Sequence, residues 1–468
     1  MYDVVIIGAG TAGLSALREV RTQTDKFVIV NDGPYGTTCA RVGCMPSKAL
    51  IESANALHRR THFEELGVRG AEALHADLEA VLQRVRTLRD RFAAGIVKIT
   101  DDLGRRSIAG RARFTSPESI EVNGRRLDAK RFIIATGSHP IVPQAWTRFG
   151  ERVLTSDTLF EQQTLPPRMA VVGLGVIGCE LAQALARLGV QITAFGAGRA
   201  LGGLEDPLVY AHASALLSAE FDLRLHARAE LEAEGAHIRV RAGAQTAVVD
   251  SVLAALGRRP NVHDLGLERL GVELDEHGMP PFDPRSLQIE GVPIYFAGDV
   301  NAQWPVLHEA ADDGYVSGYN APRSVPECFR RRTPLAIVFT DPNIAVVGQR
   351  FSTLDQNKIA IGAVDFAQQG RALIAAENRG ALRVYAARTD GRLLGAELCA
   401  PRGEHLAHLL ALAIAQRLTV HELLGAPFYH PVYEEGLRTA LRDCARQSAA
   451  APVSDLANCG FIGATALD

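Results

Sequence analysis

Two cysteines with four residues between them stand in Thr38-Cys39-Ala40-Arg41-Val42-Gly43-Cys44-Met45-Pro46-Ser47-Lys48, just ahead of a predicted helix. Pro46 suits the first turn of that helix, because the N–H it lacks has no helical partner there. The partial positive charge of a helix N-terminus favours a thiolate and lowers a cysteine pKa. Thiols this close exchange with an incoming disulfide or dithiol. A structural disulfide, or two unrelated buried thiols, fits the same spacing, so the reading turns on the surroundings.

Those surroundings contain two phosphate cradles. Val4-Val5-Ile6-Ile7 reads as a short buried strand. It runs into Gly8-Ala9-Gly10-Thr11-Ala12-Gly13, and Leu14-Ser15-Ala16-Leu17 opens a helical pattern. The first glycine allows the tight turn and the second lets backbone approach a pyrophosphate. The third packs helix on strand, with the helix N-terminus facing the phosphates. One such turn is a weak signal, because a Gly-rich strand–helix turn also occurs as plain structure. A second copy follows Ala170-Val171-Val172: Gly173-Leu174-Gly175-Val176-Ile177-Gly178, then Glu180-Leu181-Ala182. Two cradles imply two dinucleotides. A dithiol lying between them in sequence implies electrons passing among nicotinamide, flavin and disulfide, with chemistry from the cofactors and geometry from the protein.

With these residues the chain resembles the flavoprotein disulfide reductases (pyridine nucleotide–disulfide oxidoreductases), and among them the dihydrolipoamide dehydrogenases. The resemblance extends in order along the chain. Ile133-Ile134-Ala135-Thr136-Gly137-Ser138 is similar to the exit from the flavin domain, and Ala255-Leu256-Gly257-Arg258-Arg259-Pro260-Asn261 to the end of the nicotinamide domain. Tyr295-Phe296-Ala297-Gly298-Asp299 resembles the second flavin-contact segment, Phe339-Thr340-Asp341-Pro342 the start of the interface domain, and His430-Pro431-Val432-Tyr433-Glu434-Glu435 the catalytic His–Glu segment.

The resemblance implies roles. Cys39 would exchange with substrate, and Cys44 would lie nearer the flavin. Lys48, one helical turn beyond Cys44 and on the same side, would sit beside the reactive flavin nitrogen, paired with Glu180. His430 and Glu435 would be the acid/base pair. A histidine takes and returns a proton near neutral pH, and a carboxylate fixes its tautomer. In the family this histidine comes from the other subunit, so a homodimer is expected. Asp299 would hold the flavin ribityl chain, and Leu307 would begin a segment beneath the ring, with His308 a local structural histidine. The expected FAD contacts are Gly8, Gly10, Gly13, Asn31, Asp32, Thr38, Lys48, Ala112, Thr136, Gly137, Gly298, Asp299 and Leu307. For the nicotinamide nucleotide they are Gly173, Gly175, Ile177, Gly178, Glu180, Gly196 and Gly257. No metal is expected.

The chain also departs from the pattern. Asn31 and Asp32 stand where an acidic residue binds the adenosine ribose. Thr37 replaces a glycine before Cys39. Gly196 holds the position whose carboxylate selects NAD or whose arginine selects NADP. Arg199 follows three residues later, able to reach a phosphate or to face solvent. NAD is favoured and NADP stays open. Cys459 has no adjacent partner, unlike the terminal cysteine pairs of some relatives, and Ser448–Asp468 reads as an inert loose tail.

The length of 468 residues supports two to four domains. An α/β class is expected: two Rossmann-like dinucleotide-binding domains, for FAD and NAD, and a C-terminal α+β dimerisation domain. The expected boundaries are 1–149 for the first part of the FAD domain, 150–264 for NAD(P), 265–335 for the segment completing the FAD domain, and 336–468 for the interface. The redox helix is predicted from Pro46 to Arg60 and a second helix from His75 to about Thr100. A net charge of −3 argues against a nucleic-acid partner. No apolar run reaches the roughly 18 residues of a membrane helix. Seven scattered cysteines, an odd number, do not form a secreted disulfide framework. With no basic leader at the N-terminus, a cytoplasmic protein is expected.

The favoured reaction is oxidation of dihydrolipoyl groups, on a carrier protein or as free lipoamide, with NAD. One alternative is an NADPH-dependent reductase of glutathione or another small disulfide. Ala49-Leu50-Ile51-Glu52-Ser53-Ala54 lacks the arginines that the resemblance would require for glutathione. Mercuric reduction fits poorly, since His430 is present and the terminal cysteine pair is absent. Transhydrogenation has no need of the two thiols. A non-catalytic subunit that binds a lipoyl carrier is the alternative of another class.

Overall fold

The strand Tyr2–Ile7 is the axis of the N-terminal sheet, and its residues from Val4 to Ile7 are buried. A strand buried on both faces is apolar throughout, as Val4-Val5-Ile6-Ile7 is. It pairs in parallel with Phe27–Asn31 on one side and Arg125–Ile134 on the other. Ser107–Ala109 extends the sheet beyond Phe27–Asn31. Ile294–Phe296 adds in parallel to the far edge of Arg125–Ile134, so a strand from the 265–335 stretch completes the sheet begun at the N-terminus. Ala112–Ser116 and Ser119–Val122 form an antiparallel meander on the first half of Arg125–Ile134. The computed structural model describes residues 1–198 and 201–449. Arg199, and Cys459 with the rest of the tail from 450, lie outside the described residues.

The second unit repeats the plan. Arg168–Val172 is flanked by Gln191–Gly196 and Ser251–Ala254, with Asp222–Leu225 and Val153–Leu154 at the edges, all parallel. A three-stranded antiparallel ladder, Ala229–Glu234 to Gln245–Val249, covers it. From Leu335 onward the architecture changes to a five-stranded antiparallel sheet. The helices Gly403–Ala415 and Glu434–Gln447 bury Leu406, Leu410, Leu437 and Leu441 in its core. The α/β class with two dinucleotide-binding units and a C-terminal α+β unit is therefore the observed fold.

Two helices start away from their predicted ends. The redox helix spans Cys44–His58, and Arg59–His62 tightens into a 3₁₀ turn. Cys44 thus occupies the first turn itself, where backbone N–H groups have no helical partner. The helix predicted from His75 begins at Leu78, because the Asp77 carboxylate caps it by accepting from Ala80 N at 3.0 Å.

Helix Thr11–Val20 crosses helix Leu307–Asn320 very closely. A Cβ on Gly314 would come 2.1 Å from Ala12 O, and one on Gly318 would come 2.5 Å from Ala16 O. That crossing brings Gly298 under the first glycine loop, where an added Cβ would lie 2.9 Å from Ala12 Cβ.

Candidate active site

The two glycine loops have the same geometry. Gly8 (φ +111°) and Gly173 (φ +101°) leave their strands so close to the neighbouring chain that a Cβ would stand 2.2 Å from Ala135 O or Ala255 O. At Gly13 and Gly178 a Cβ would come 1.9 and 1.8 Å from the carbonyls of Gly8 and Gly173. The middle glycines differ: at Gly10 and Gly175 an added Cβ meets nothing within 4 Å. Both are N-caps without a side-chain hydrogen bond, at the start of helices Thr11–Val20 and Val176–Arg187. Each loop therefore presents uncapped N–H groups and a helix dipole to open space, which fits a pyrophosphate.

Residues expected around the first cradle frame it. Asn31 Oδ1 accepts from Ala9 N at 2.9 Å, so its carbonyl holds the glycine loop, and the adjacent exposed carboxylate is Asp32. Thr136 Oγ1 and Asn261 Nδ2 exchange hydrogen bonds with each other's carbonyls at 2.8 and 2.9 Å, binding the Gly137 turn (φ +68°) to the strand exit beyond Gly257. Asp299 Oδ2 accepts from Ser138 Oγ, which in turn accepts from Arg258 Nε, both at 2.8 Å. Leu307 opens its helix exposed, His308 is half-exposed, and Ala112 is buried in the meander.

The thiols lie on two short-spaced helices, Cys39 in Thr38–Val42 and Cys44 at the head of Cys44–His58. The two thiols perturb each other: the neighbouring Cys39 draws the Cys44 thiol below the ordinary thiol range, and Cys39 is itself held above it. Lys48 supports the Cys44 thiolate electrostatically, while burial and Glu180 oppose it. Lys48 Nζ donates to both oxygens of buried Glu180, at 2.8 and 3.0 Å, and lies 4.6 Å from the Phe339 ring centroid. Thr37 N-caps the first short helix, its hydroxyl accepting from Ala40 N at 3.2 Å, although its backbone adopts φ 59° and ψ 149°. That region is nearly reserved for glycine.

Gly196 is buried at the end of its strand. A Cβ there would stand 2.9 Å from Leu174 Cδ1 and 3.2 Å from Leu225 Cδ2, so two leucines fill the space a carboxylate stem would take. His430 and Glu435 form a separate site on the C-terminal unit. The Nδ1 of His430 lies 3.0 and 3.2 Å from the two Glu435 oxygens, and Glu435 also accepts from Val432 N at 3.2 Å. The contact with His430 holds the Glu435 carboxyl below its usual range. His430 itself is 79% exposed beside Tyr429 at 77%. The structure thus gathers Cys39, Cys44, Lys48 and Glu180 in one place, and His430 with Glu435 in another.

The pyridine nucleotide-disulphide oxidoreductase family model matches residues 2–314, and the dimerisation domain of the same family matches residues 335–441. The chain belongs to this family. FAD and a nicotinamide nucleotide are its cofactors, and the two open cradles fit them. The dimerisation match supports a homodimer. Dihydrolipoyl dehydrogenase from Staphylococcus aureus is 30% identical over 446 residues, covering 92% of this chain and 94% of its own. The enzyme of that name from Thermus scotoductus is 31% identical over 463 residues, 96% and 98% of the two chains. Among solved structures, LpdA from Mycobacterium tuberculosis is 27% identical with a TM-score of 0.82, over 94% of this chain and 99% of that one. The HOCl-induced flavoprotein disulfide reductase RclA from Escherichia coli has the same TM-score and coverage at 23% identity, a likeness of fold alone. Among the described residues no helix is long and apolar enough to cross a membrane.

Sequence reasoning missed the groups that brace the Lys48–Glu180 pair. Phe339 N donates to Glu180 Oε1 at 2.9 Å, and Gln183 and Arg187 continue the same helix face. Their spacing from Glu180, i+3 and i+7, was a readable signal.

Proposed function

We propose that this protein oxidises dihydrolipoyl groups, transferring their electrons through the Cys39–Cys44 pair and FAD to NAD. The observation that carries this reading is the gathering of Cys39, Cys44 and the Lys48–Glu180 pair in a chain with two open glycine cradles. In the thiol pair, Cys44 is the sulfur drawn toward the thiolate and Cys39 the one held as the thiol.

That polarity orders the steps. In the oxidised enzyme Cys39 and Cys44 form a disulfide. His430, oriented by Glu435, takes a proton from one substrate thiol. The resulting thiolate attacks Cys39 Sγ, the S–S bond breaks, and Cys44 leaves as a thiolate. A sulfur of lower pKa leaves faster, so the fixed Lys48 and the helix N-terminus direct attack to Cys39. The second substrate thiol then attacks the mixed disulfide. The substrate leaves as a cyclic disulfide. The Cys39 sulfur takes the proton held by His430, and His430 takes the proton of the second substrate thiol and releases it to solvent. Two thiols have been oxidised and one disulfide reduced. Bound FAD supplies the two-electron acceptor for the reduced pair, and the nicotinamide nucleotide carries the electrons onward.

His430 points outward on the unit matched as a dimerisation domain, which supports its serving the thiols of the partner subunit. Dihydrolipoyl dehydrogenases matching nearly the whole chain support the lipoyl substrate. NAD is the preferred coenzyme of this reading. Gly196, walled by Leu174 and Leu225, provides neither the carboxylate nor the arginine of strict selection, so discrimination between NAD and NADP is expected to be weak. Steady-state kinetics with NADH and NADPH against lipoamide and glutathione disulfide tests the whole reading. Turnover with lipoamide and NADH as the best pair is expected. Turnover with glutathione disulfide and none with lipoamide would overturn it in favour of a small-disulfide reductase.

A further inference from the structure

Behind the Lys48–Glu180 pair lies a buried ladder that joins three parts of the chain. Helix Val176–Arg187 places Glu180, Gln183 and Arg187 on one face, all buried. Gln183 clamps the backbone of Asp341 from both sides, accepting from its N–H at 2.8 Å and donating to its carbonyl at 3.0 Å. Arg187, with its side chain 1% exposed, spreads its guanidinium over three partners. It forks onto Glu220 at 2.6 and 2.7 Å. It donates to the Asp341 side chain at 3.0 Å and carbonyl at 2.9 Å. It also reaches Asn55 Oδ1 at 2.6 Å, and Asn55 lies two turns beyond Lys48 on the redox helix.

Residues 339–341 form a short strap between these contacts. One end is fixed by Gln183 and Arg187 at Asp341. The other end presents the Phe339 N–H to Glu180 and the Phe339 ring to Lys48. We propose that Arg187 is a positioning residue: through the 339–341 strap and Asn55 it holds Glu180 and Lys48 in register with the Cys44 thiol. It touches neither thiol nor cradle, so its effect passes through Lys48. A lysine whose carboxylate partner shifts swings away from Cys44 toward water. The inference rests on the reading of Lys48 as the cation beside Cys44.

The test uses full-length holoenzyme carrying Cys39→Ser, in which Cys44 is the remaining thiol of the pair. The probe is iodoacetamide, and the readout is the pH midpoint of Cys44 alkylation, followed by peptide mass spectrometry. Arg187→Met is expected to raise the midpoint by about one pH unit, as loss of a nearby opposite charge does. Arg187→Lys keeps a cation for Glu220 but not the fork, and secures the test if the methionine variant fails to fold. Its expected rise is about half a unit, since lysine replaces a bidentate guanidinium poorly. Arg86→Met is the control for loosened structure. Arg86 is also a buried arginine, on the helix Leu78–Asp101 that packs against the redox helix, but it bonds Gln162 O at 2.5 Å and Gln163 at 3.3 Å rather than any group of this ladder. It should lower the melting temperature and leave the midpoint in place. Lys48→Met separates the two levels of the argument. If it raises the midpoint while neither Arg187 variant does, the proposal falls and the site reading stands. If Lys48→Met leaves the midpoint unmoved, both fall. A midpoint moved as far by Arg86→Met would also overturn the positioning role.

Discussion

The proposed order of attack requires that Cys44 ionise at a lower pH than Cys39, the direction in which the two thiols shift. The perturbation is to remove one thiol at a time, as Cys39→Ser and Cys44→Ser. Serine keeps a polar O–H beside the remaining sulfur, so the local polarity changes as little as possible. A thiol lowered to about 7 would be half thiolate at pH 7. An ordinary thiol, with pKa about 8.5, is about 3% ionised there, a roughly sixteenfold difference. The lower-pKa thiolate is a weaker nucleophile. With a Brønsted slope of about 0.45, a drop of about 1.5 units costs roughly fivefold in intrinsic rate. The net advantage over a free thiol at pH 7 is only about threefold, so the rate at a single pH decides little and the midpoint decides much. Alkylation of each variant is followed from pH 5 to 10. Cys39→Ser should give a midpoint within about a unit of 7, and Cys44→Ser one above the ordinary thiol value. A lower midpoint for Cys39 than for Cys44 would reverse the proposed order of attack.

Gly196→Glu should raise the KM for NADP at least about tenfold relative to that for NAD, because the carboxylate accepts from the ribose 2′-OH and repels a 2′-phosphate. Leu174 must swing aside to admit it, so equal changes in both KM values would mean that the new side chain never reaches the ribose. Thr37→Gly should raise the melting temperature of the holoenzyme. Glycine relieves about 1–3 kcal/mol of backbone strain and loses only a few tenths from the cap, and a net gain of 1 kcal/mol shifts the midpoint by about 2–4 °C. A lower melting temperature would show that the cap outweighs the strain. A Cys39→Ser dimer and a His430→Ala dimer should each be nearly inactive. Random re-pairing of equal amounts should restore about a quarter of wild-type turnover, since half the dimers are mixed and each then holds one intact site of two. Doubly tagged mixed dimers with no recovered turnover would place His430 in its own chain's site or outside catalysis.

The parts of the site legible in the sequence are those whose chemistry is local. A glycine loop is a contiguous run whose backbone needs are visible in residue types, so Gly8–Gly13 and Gly173–Gly178 could be placed without tertiary information. The Cys39–Cys44 spacing and the i+4 position of Lys48 follow from one helix and its entry. What stayed hidden depends on segments distant in sequence. Asn31 and Asp32 both stand where a ribose acceptor is expected, but that the Asn31 oxygen also accepts from Ala9 N, 22 positions away, is visible only in the fold. The brace around Glu180 requires knowing that residue 341 returns to the helix carrying residues 183 and 187. The helix expected from His75 starts three residues later because a single side chain, Asp77, decides its cap. Gly196 could be seen as a missing carboxylate, but its cause, the two leucines filling the space, appears only after folding.

The thiol polarity also explains why the acid/base pair must be remote. A pair in which both sulfurs ionised near pH 7 would repel itself and need no base. In the proposed cycle Cys39, the sulfur that faces substrate, is held as the thiol, and Cys44 is drawn toward the thiolate. That arrangement stores the negative charge beside Lys48. It leaves the outer sulfur dependent on an external group for every proton it gives or takes. His430 is exposed and anchored to Glu435 from one side only, which leaves the rest of the ring accessible to a second molecule. On this reading, neither chain alone can complete a turnover: one supplies the charge-separated thiols and the other the proton carrier. Dilution below the dimer dissociation constant should therefore abolish lipoamide reduction while Cys44 alkylation keeps its midpoint, because the thiol polarity is set within one chain. A midpoint that rises toward the ordinary thiol value on dilution would refute this division of labour and make the partner part of the electrostatics as well.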